Sequence, residues 1–188
     1  MTVEVARPRS SRRRIPAWVA WVVTAALAVL FAWFLRVHVV TTFSIPSGSM
    51  EPTLDVGDRI VVDRLSYDLH GVRRGDIIVF RRPADENCGD AKDQYLVKRV
   101  IGLPRERISS LNGTVEIDGR PLAEPWLPPH DDLGPPIPAT TIPAGNYYML
   151  GDNRSDSCDS RFWGPLSGSL IVGRAEARVW PLSRLHWF

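Results

Sequence analysis

The sequence predicts a mainly β protein, a single N-terminal transmembrane helix followed by an all-β domain. Three observations carry this. From Ile15 to Leu35 there is no charged residue and Thr24 is the only polar side chain. Beyond that run, short β-branched segments recur behind Gly-Asp turn signals. No later segment holds a helical period over several turns. The 188 residues suffice for one medium domain plus a tail.

The basic tail, residues 1–14, carries Arg7, Arg9, Arg12, Arg13 and Arg14 against Glu4. That is +4, which leaves −2 of the formal +2 for the rest of the chain. Nothing in the main body asks for nucleic acid, and the tail is better explained by membrane topology. Roughly 20 apolar residues rising ~1.5 Å each span about 30 Å, the thickness of a bilayer's hydrocarbon. Trp18 and Trp21 near one end of residues 15–35, and Trp33 near the other, sit where interfacial aromatics belong. Arginines on the N-terminal side keep that end cytoplasmic, so the chain after Arg36 is exported across the plasma membrane. Ala26-Leu27-Ala28 offers the alternative of a cleaved leader, but the apolar run is longer than a leader's and continues past that site.

Residues 36–43 form a short bridge rich in Val and Thr, and residues 44–188 form the β-rich domain. From Leu35 to Ser49 the chain reaches roughly 50 Å at most, so the domain works close to the bilayer. Gly57-Asp58 introduces Arg59–Val62 and Gly75-Asp76 introduces Ile77–Phe80. Gln94–Ile101, Tyr147–Leu150 and Leu170–Trp180 read as further strands. Asn112-Gly113 and Asp118-Gly119 are hairpin turns flanking Thr114–Ile117. Pro121–Pro143 holds eight of the sixteen prolines and reads as a loop ordered by packing, without chemistry of its own.

Chemistry concentrates in three blocks. In the first, Ser47 and Ser49 flank Gly48 between Pro46 and Pro52, a constrained turn that could present a nucleophilic hydroxyl or be a turn alone. In the second, Lys98 lies between Leu96 and Val100 on one strand face, with Arg99 on the other. Burial there lowers a lysine's pKa and lets a neutral amine take a serine proton. The alternative is a stem that packs while its head reaches water. Lys92, the only other lysine, lies in a polar run and should be solvated. The third block, Gly151–Arg161, is a dense Asp, Asn, Ser and Arg loop able to orient a base or merely to be solvated. The four histidines, His38, His70, His130 and His186, stand in no setting that suggests a triad base. No His/Cys/Asp cluster has metal-ligand spacing, so neither metal nor other cofactor is expected. Cys88 and Cys158 both fall in the exported part, which allows one disulfide or two free thiols.

Together the blocks are specific. Pro46-Ser47-Gly48-Ser49-Met50 with Pro52-Thr53-Leu54, then Lys98-Arg99-Val100-Ile101-Gly102, then Gly151-Asp152-Asn153-Arg154 with Ser157 and Asp159-Ser160-Arg161, occur in order behind an N-terminal anchor. This resembles bacterial type I signal peptidase, the membrane-bound Ser-Lys endopeptidase that removes signal peptides from exported preproteins, from Arg7 to about Trp180. The resemblance implies Ser49 as nucleophile and Lys98 as general base. It implies an oxyanion hole from Ser47 and the Ser49 N–H, with Ser157 orienting the lysine. It further implies that Asp152, Asp159 and Arg161 stabilise the loop, and that Phe43, Ile45 and Val97 line small pockets for an Ala-x-Ala-like site. The partners expected are signal peptides and the lipid bilayer. In one departure, Arg105 follows Gly102-Leu103-Pro104 where the family usually has Gly, which puts that turn in doubt. In the other, Cys158 lies beside the orienting serine. A self-cleaving Ser-Lys repressor-type protease would need a DNA-binding helical domain, and a tethered binding module would leave these residues incidental.

Overall fold

A computed structural model describes residues 16–38, 40–65, 67, 70–86, 88, 93–128 and 134–188. The arginine tail, Lys92 and His130 lie outside them. The chain divides into two compact units, Met1–Val37 and His38–Phe188.

Helix α1 covers Ala17–His38. Its side chains are described from Trp18 to Phe31, and they are apolar and largely exposed, Trp21 and Leu27 among them. Thr24 Oγ1 donates to the Ala20 carbonyl at 2.9 Å, which spends its hydroxyl inside the helix. Among the described residues no helix is long and apolar enough to cross a membrane, so a span over 15–35 rests on the sequence.

The second unit is mainly β. Its strands are β1 (Val40–Ser44), β2 (Arg59–Asp63), β3 (Ile77–Arg81), β4 (Tyr95–Gly102), β5 (Arg107–Leu111) and β6 (Thr114–Ile117), then β7 (Arg120–Pro121), β8 (Thr140–Thr141), β9 (Asn146–Leu150), β10 (Leu166–Ser167), β11 (Ile171–Trp180) and β12 (His186–Trp187). The larger sheet runs β1-β2-β11-β3-β4-β9-β10 with β12 on β11, and the smaller runs β7-β6-β5-β8. The bridge read over 36–43 thus contributes a strand: Phe43 pairs with Ile60. The two Gly-Asp turns deliver β2 and β3 as expected, since Gly57 and Gly75 hold φ of 89° and 91°. Asn112-Gly113 and Asp118-Gly119 have positive φ at both positions, the requirement of a type I′ hairpin, and they set β5, β6 and β7 in register.

The core is built by strands buried on both faces. On β3, Ile77 and Val79 pack with Ile45, Met50 and Leu54 beneath the serine turn. Ile78 and Phe80 face the other way, onto Val100, Met149 and Trp163. A third cluster of Ile101, Ile108, Val115, Ile137, Ile142, Tyr148 and Leu150 joins the two sheets. Burial of an aliphatic side chain contributes about 1.5–3 kcal/mol, and the serine turn and, through Val97, the lysine strand share the first of these clusters.

Arg105 adopts φ 72°, the left-handed region where glycine is at ease. The turn nevertheless closes, the Glu106 N–H donating to the Leu103 carbonyl at 3.3 Å, and the Arg105 N–H is held by the Ile142 carbonyl at 2.9 Å.

Candidate active site

Ser49 lies in a single 3-10 turn, Gly48–Met50, entered from extended Ser47. Met50 and Leu54 are buried, so the turn is anchored on its far side. The hydroxyls of Ser47 and Ser49 are 3.4 Å apart. Ser49 Oγ is 2.5 Å from Lys98 Nζ. Lys98 is 4% exposed, on β4 opposite Ile78. Burial lowers its ammonium from 10.5 to about 8, with Asp159, Asp152 and Glu86 pulling upward and Arg161 pushing down. A lysine so placed is partly neutral near neutrality, and then the serine O–H donates to the amine.

β9 pairs with β4 only from Arg99 to Gly102. Tyr95–Lys98 are bonded to β3 on one side and open on the other. Along that open edge lies a cleft of about 230 Å³ lined by Phe43, Ile45, Met50, Val97, Ser49 and Lys98, among others. Two of its lining rings, Phe43 and Tyr95, meet edge to face with 5.4 Å between centroids. The three pocket residues singled out by sequence are therefore together, and Met50, Tyr95 and Leu96 join them. A larger cavity of about 460 Å³ lies around Arg99, Trp126 and Phe188, and neither Ser49 nor Lys98 lines it.

The third block wraps the serine turn. Asn153 donates its N–H to the Ser49 carbonyl at 3.2 Å and its Nδ2–H to the Gly48 carbonyl at 3.1 Å. Arg99 donates to both carboxylate oxygens of buried Asp152, at 2.8 and 2.6 Å, and Thr53 Oγ1 donates to the same group at 2.5 Å. Arg161 donates to both oxygens of buried Asp159, at 2.8 Å each, and Asp159 accepts the Gly151 N–H at 3.0 Å. Bidentate guanidinium–carboxylate pairs fix orientation as well as charge. Gly151 is obligatory here, since a Cβ would overlap Ser157 Oγ and the Ser49 carbonyl. Ser157 is buried, and among the described residues its hydroxyl has no hydrogen-bond partner. Cys88 and Cys158 are joined in a disulfide with Cα atoms 5.9 Å apart. It ties the connection ahead of β4 to the Ser157 loop.

The signal peptidase, peptidase S26, family model matches residues 18–180. The chain belongs to that family. A signal peptidase I of Leptolyngbya laminosa is 42% identical over 165 residues, covering 86% of this chain and 79% of the relative. A signal peptidase I of Bacillus caldolyticus is 36% identical over 184 residues, 92% of each. Signal peptidase IB of Staphylococcus aureus is 33% identical over 183 residues, 89% of this chain and 92% of its own. A crystal structure of a signal peptidase I from Enterococcus faecalis V583 is 31% identical, with a TM-score of 0.45 over 56% of this chain and 97% of that one. Signal peptidase membership makes the chain a peptidase, and hence a hydrolase.

Sequence reasoning missed Asn153 as a contact of the serine turn, Glu124 as a partner of Arg154 in the third block and Trp126 as a partner of Arg99. Trp126 falls in the segment read as a loop without chemistry of its own. It is half-buried, its ring 4.8 Å from the Arg99 guanidinium and its Nε1 enclosed. Glu124-Pro125-Trp126-Leu127 within a proline-rich loop offered no local sign of either partner.

Proposed function

We propose that this chain is a membrane-bound serine endopeptidase with a Ser49–Lys98 dyad. It removes N-terminal signal peptides from exported preproteins after a small-x-small site. The observation that carries this is the 2.5 Å approach of a buried, pKa-lowered lysine amine to Ser49 Oγ beside an open strand edge.

The substrate lies extended along the free edge of β4 as an added strand, the usual way a peptide binds an open sheet edge. Neutral Lys98 accepts the Ser49 proton as Oγ bonds to the scissile carbonyl carbon. The oxyanion accepts hydrogen bonds from Ser47 Oγ–H and the Ser49 N–H. The lysine ammonium then donates its proton to the leaving amine, the C–N bond breaks, and an acyl-enzyme remains. Water attacks that ester, Lys98 takes the water's proton, and Ser49 leaves as the alcohol when the proton returns to its Oγ. Ser157 orients Lys98: its buried hydroxyl has unspent bonding capacity beside Gly151. Asp152, Asp159 and Arg161 hold the surrounding loop. Phe43, Ile45 and Val97 wall off the acyl-side pockets, and larger side chains would overpack them.

The membrane anchor is residues 15–35, supported by the uncharged run and by the exposed apolar surface of α1 around Trp18, Trp21, Leu30 and Phe31. Arginines before it place the N-terminus in the cytoplasm and the β domain outside. A serine-directed acylating inhibitor tests the reading: mass mapping should find one adduct, on Ser49. Label on another serine, or none, would overturn it.

A further inference from the structure

The proline-rich segment meets the third block directly at two points and, through Arg99 of β4, at a third. Glu124 accepts from both terminal nitrogens of Arg154, at 2.5 and 3.1 Å, and Arg154 is 1% exposed. The Arg154 Nε–H in turn donates to the Gly151 carbonyl at 2.9 Å. Trp126 covers the Arg99 guanidinium at 4.8 Å, and Arg99 clamps Asp152. Gly134 lies so close that a Cβ on it would overlap the Arg154 carbonyl and Arg161.

Between these contacts sit Gly151, Asp152 and Asn153. Gly151 touches the Ser49 carbonyl, and Asn153 holds the Gly48 and Ser49 carbonyls. The nucleophile's backbone is therefore located by a loop that is itself located from outside. Burying Arg154 costs desolvation, and enclosing the Trp126 N–H, which has no partner among the described residues, costs a hydrogen bond. A loop serving only to fill space would do so with apolar side chains.

We propose that Glu124 and Trp126 are positioning residues for Ser49, acting through Arg154 and through Arg99–Asp152. This rests on the Ser49–Lys98 reading above. The proline-rich segment is then a brace, whose stiffness keeps Ser49 Oγ against Lys98. Displacing a nucleophile by about 1 Å costs on the order of 10² in rate, so loss of one contact should lower kcat and spare KM.

The test uses the full chain in detergent micelles and a peptide with an Ala-x-Ala site, well below each variant's unfolding temperature. Glu124→Gln and Trp126→Leu should each lower kcat by roughly 10–100-fold, with KM within about twofold. Trp126→Phe, which keeps a ring over Arg99, should restore most of the loss. Glu106→Gln removes a half-buried Arg–Glu pair, with Arg74, that makes none of the contacts above, and should leave kcat within about twofold. Wild-type kcat per folded molecule in both Glu124→Gln and Trp126→Leu, with only thermal stability lowered, would reduce the brace to packing. If Glu124→Gln does not fold, the Trp126 pair decides: equal kcat for Leu and Phe overturns the proposal. Ser49→Ala, run alongside, separates the two readings. Its retained activity would sink the dyad, whereas an inactive Ser49→Ala beside fully active brace variants would sink only the brace.

Discussion

Raising the pH from 7 to 9 should increase kcat/KM about tenfold. Burial holds Lys98 near 8 rather than 10.5, and Asp159, Arg161, Asp152 and Glu86 are the charges that modulate it. Only the neutral amine can accept the Ser49 proton. With a pKa near 8, about one-tenth of the lysines are neutral at pH 7 and about nine-tenths at pH 9. The profile of kcat/KM for a fluorogenic Ala-x-Ala peptide should therefore show a single acid limb with its midpoint near 8. Stability provides a second readout of the same group. The folded pKa lies below the unfolded one, so from about pH 8 to 10.5 the unfolded chain binds more protons and this lysine makes stability rise with pH. Below about pH 8 its cost is full, on the order of 3 kcal/mol. Lys98→Met removes that cost, so it should be inactive yet more stable than wild type at pH 7, with the advantage shrinking toward pH 10.5. A midpoint near 10, or one near 6.5 where histidine ordinarily titrates, would refute the assignment of Lys98 as base.

Other predictions follow from single contacts. Ser47→Ala should fold normally and lose roughly 10²–10³ in kcat with little change in KM, the cost of one oxyanion donor; an unchanged kcat would leave Ser47 a turn residue. The Cys88–Cys158 bridge closes a sequence separation of 70 residues, so Cys158→Ser should lower stability by about 2–4 kcal/mol. Reduction should also lower activity by loosening the Ser157 loop. Quantitative alkylation of both cysteines in protein kept oxidised would contradict the bridge. Trp180 and Trp187 are 52% and 73% exposed, while Phe188 packs on the core. A chain starting near Val37 should accordingly bind vesicles weakly. Trp180→Ser with Trp187→Ser should weaken that binding without changing cleavage of a soluble peptide, and no vesicle binding at all would make these rings structural.

The strands that the sequence made legible are those whose signal is local. Ile77–Phe80 is a short apolar run behind a Gly-Asp turn, and the Asn-Gly and Asp-Gly pairs specify their hairpins by themselves. Arg107-Ile108-Ser109-Ser110-Leu111 gave no such signal, because only Ile108 is fully buried. Thr140–Thr141 and Leu166–Ser167 are strands only through their partners. Arg105 shows the limit of motif reading, since the backbone bond from Glu106 to Leu103 closes a turn whose glycine is missing. At the site, the alternation around Lys98 left open a buried amine or a head reaching water; the strand is buried on both faces there, Arg99 as well as Lys98, and the serine and lysine blocks meet. The contacts of Glu124 with Arg154 and of Trp126 with Arg99 span 30 and 27 positions. No periodicity reports pairs so far apart, and only the folded chain brings them together.

The most direct test of the account is cleavage of a precursor carrying an Ala-x-Ala site by purified protein, wild type beside Ser49→Ala, Lys98→Ala and Lys98→Arg. The account predicts cleavage at that site by wild type and none by the three folded variants, the arginine failing because guanidinium stays protonated. Substantial cleavage by Ser49→Ala or Lys98→Ala would contradict it.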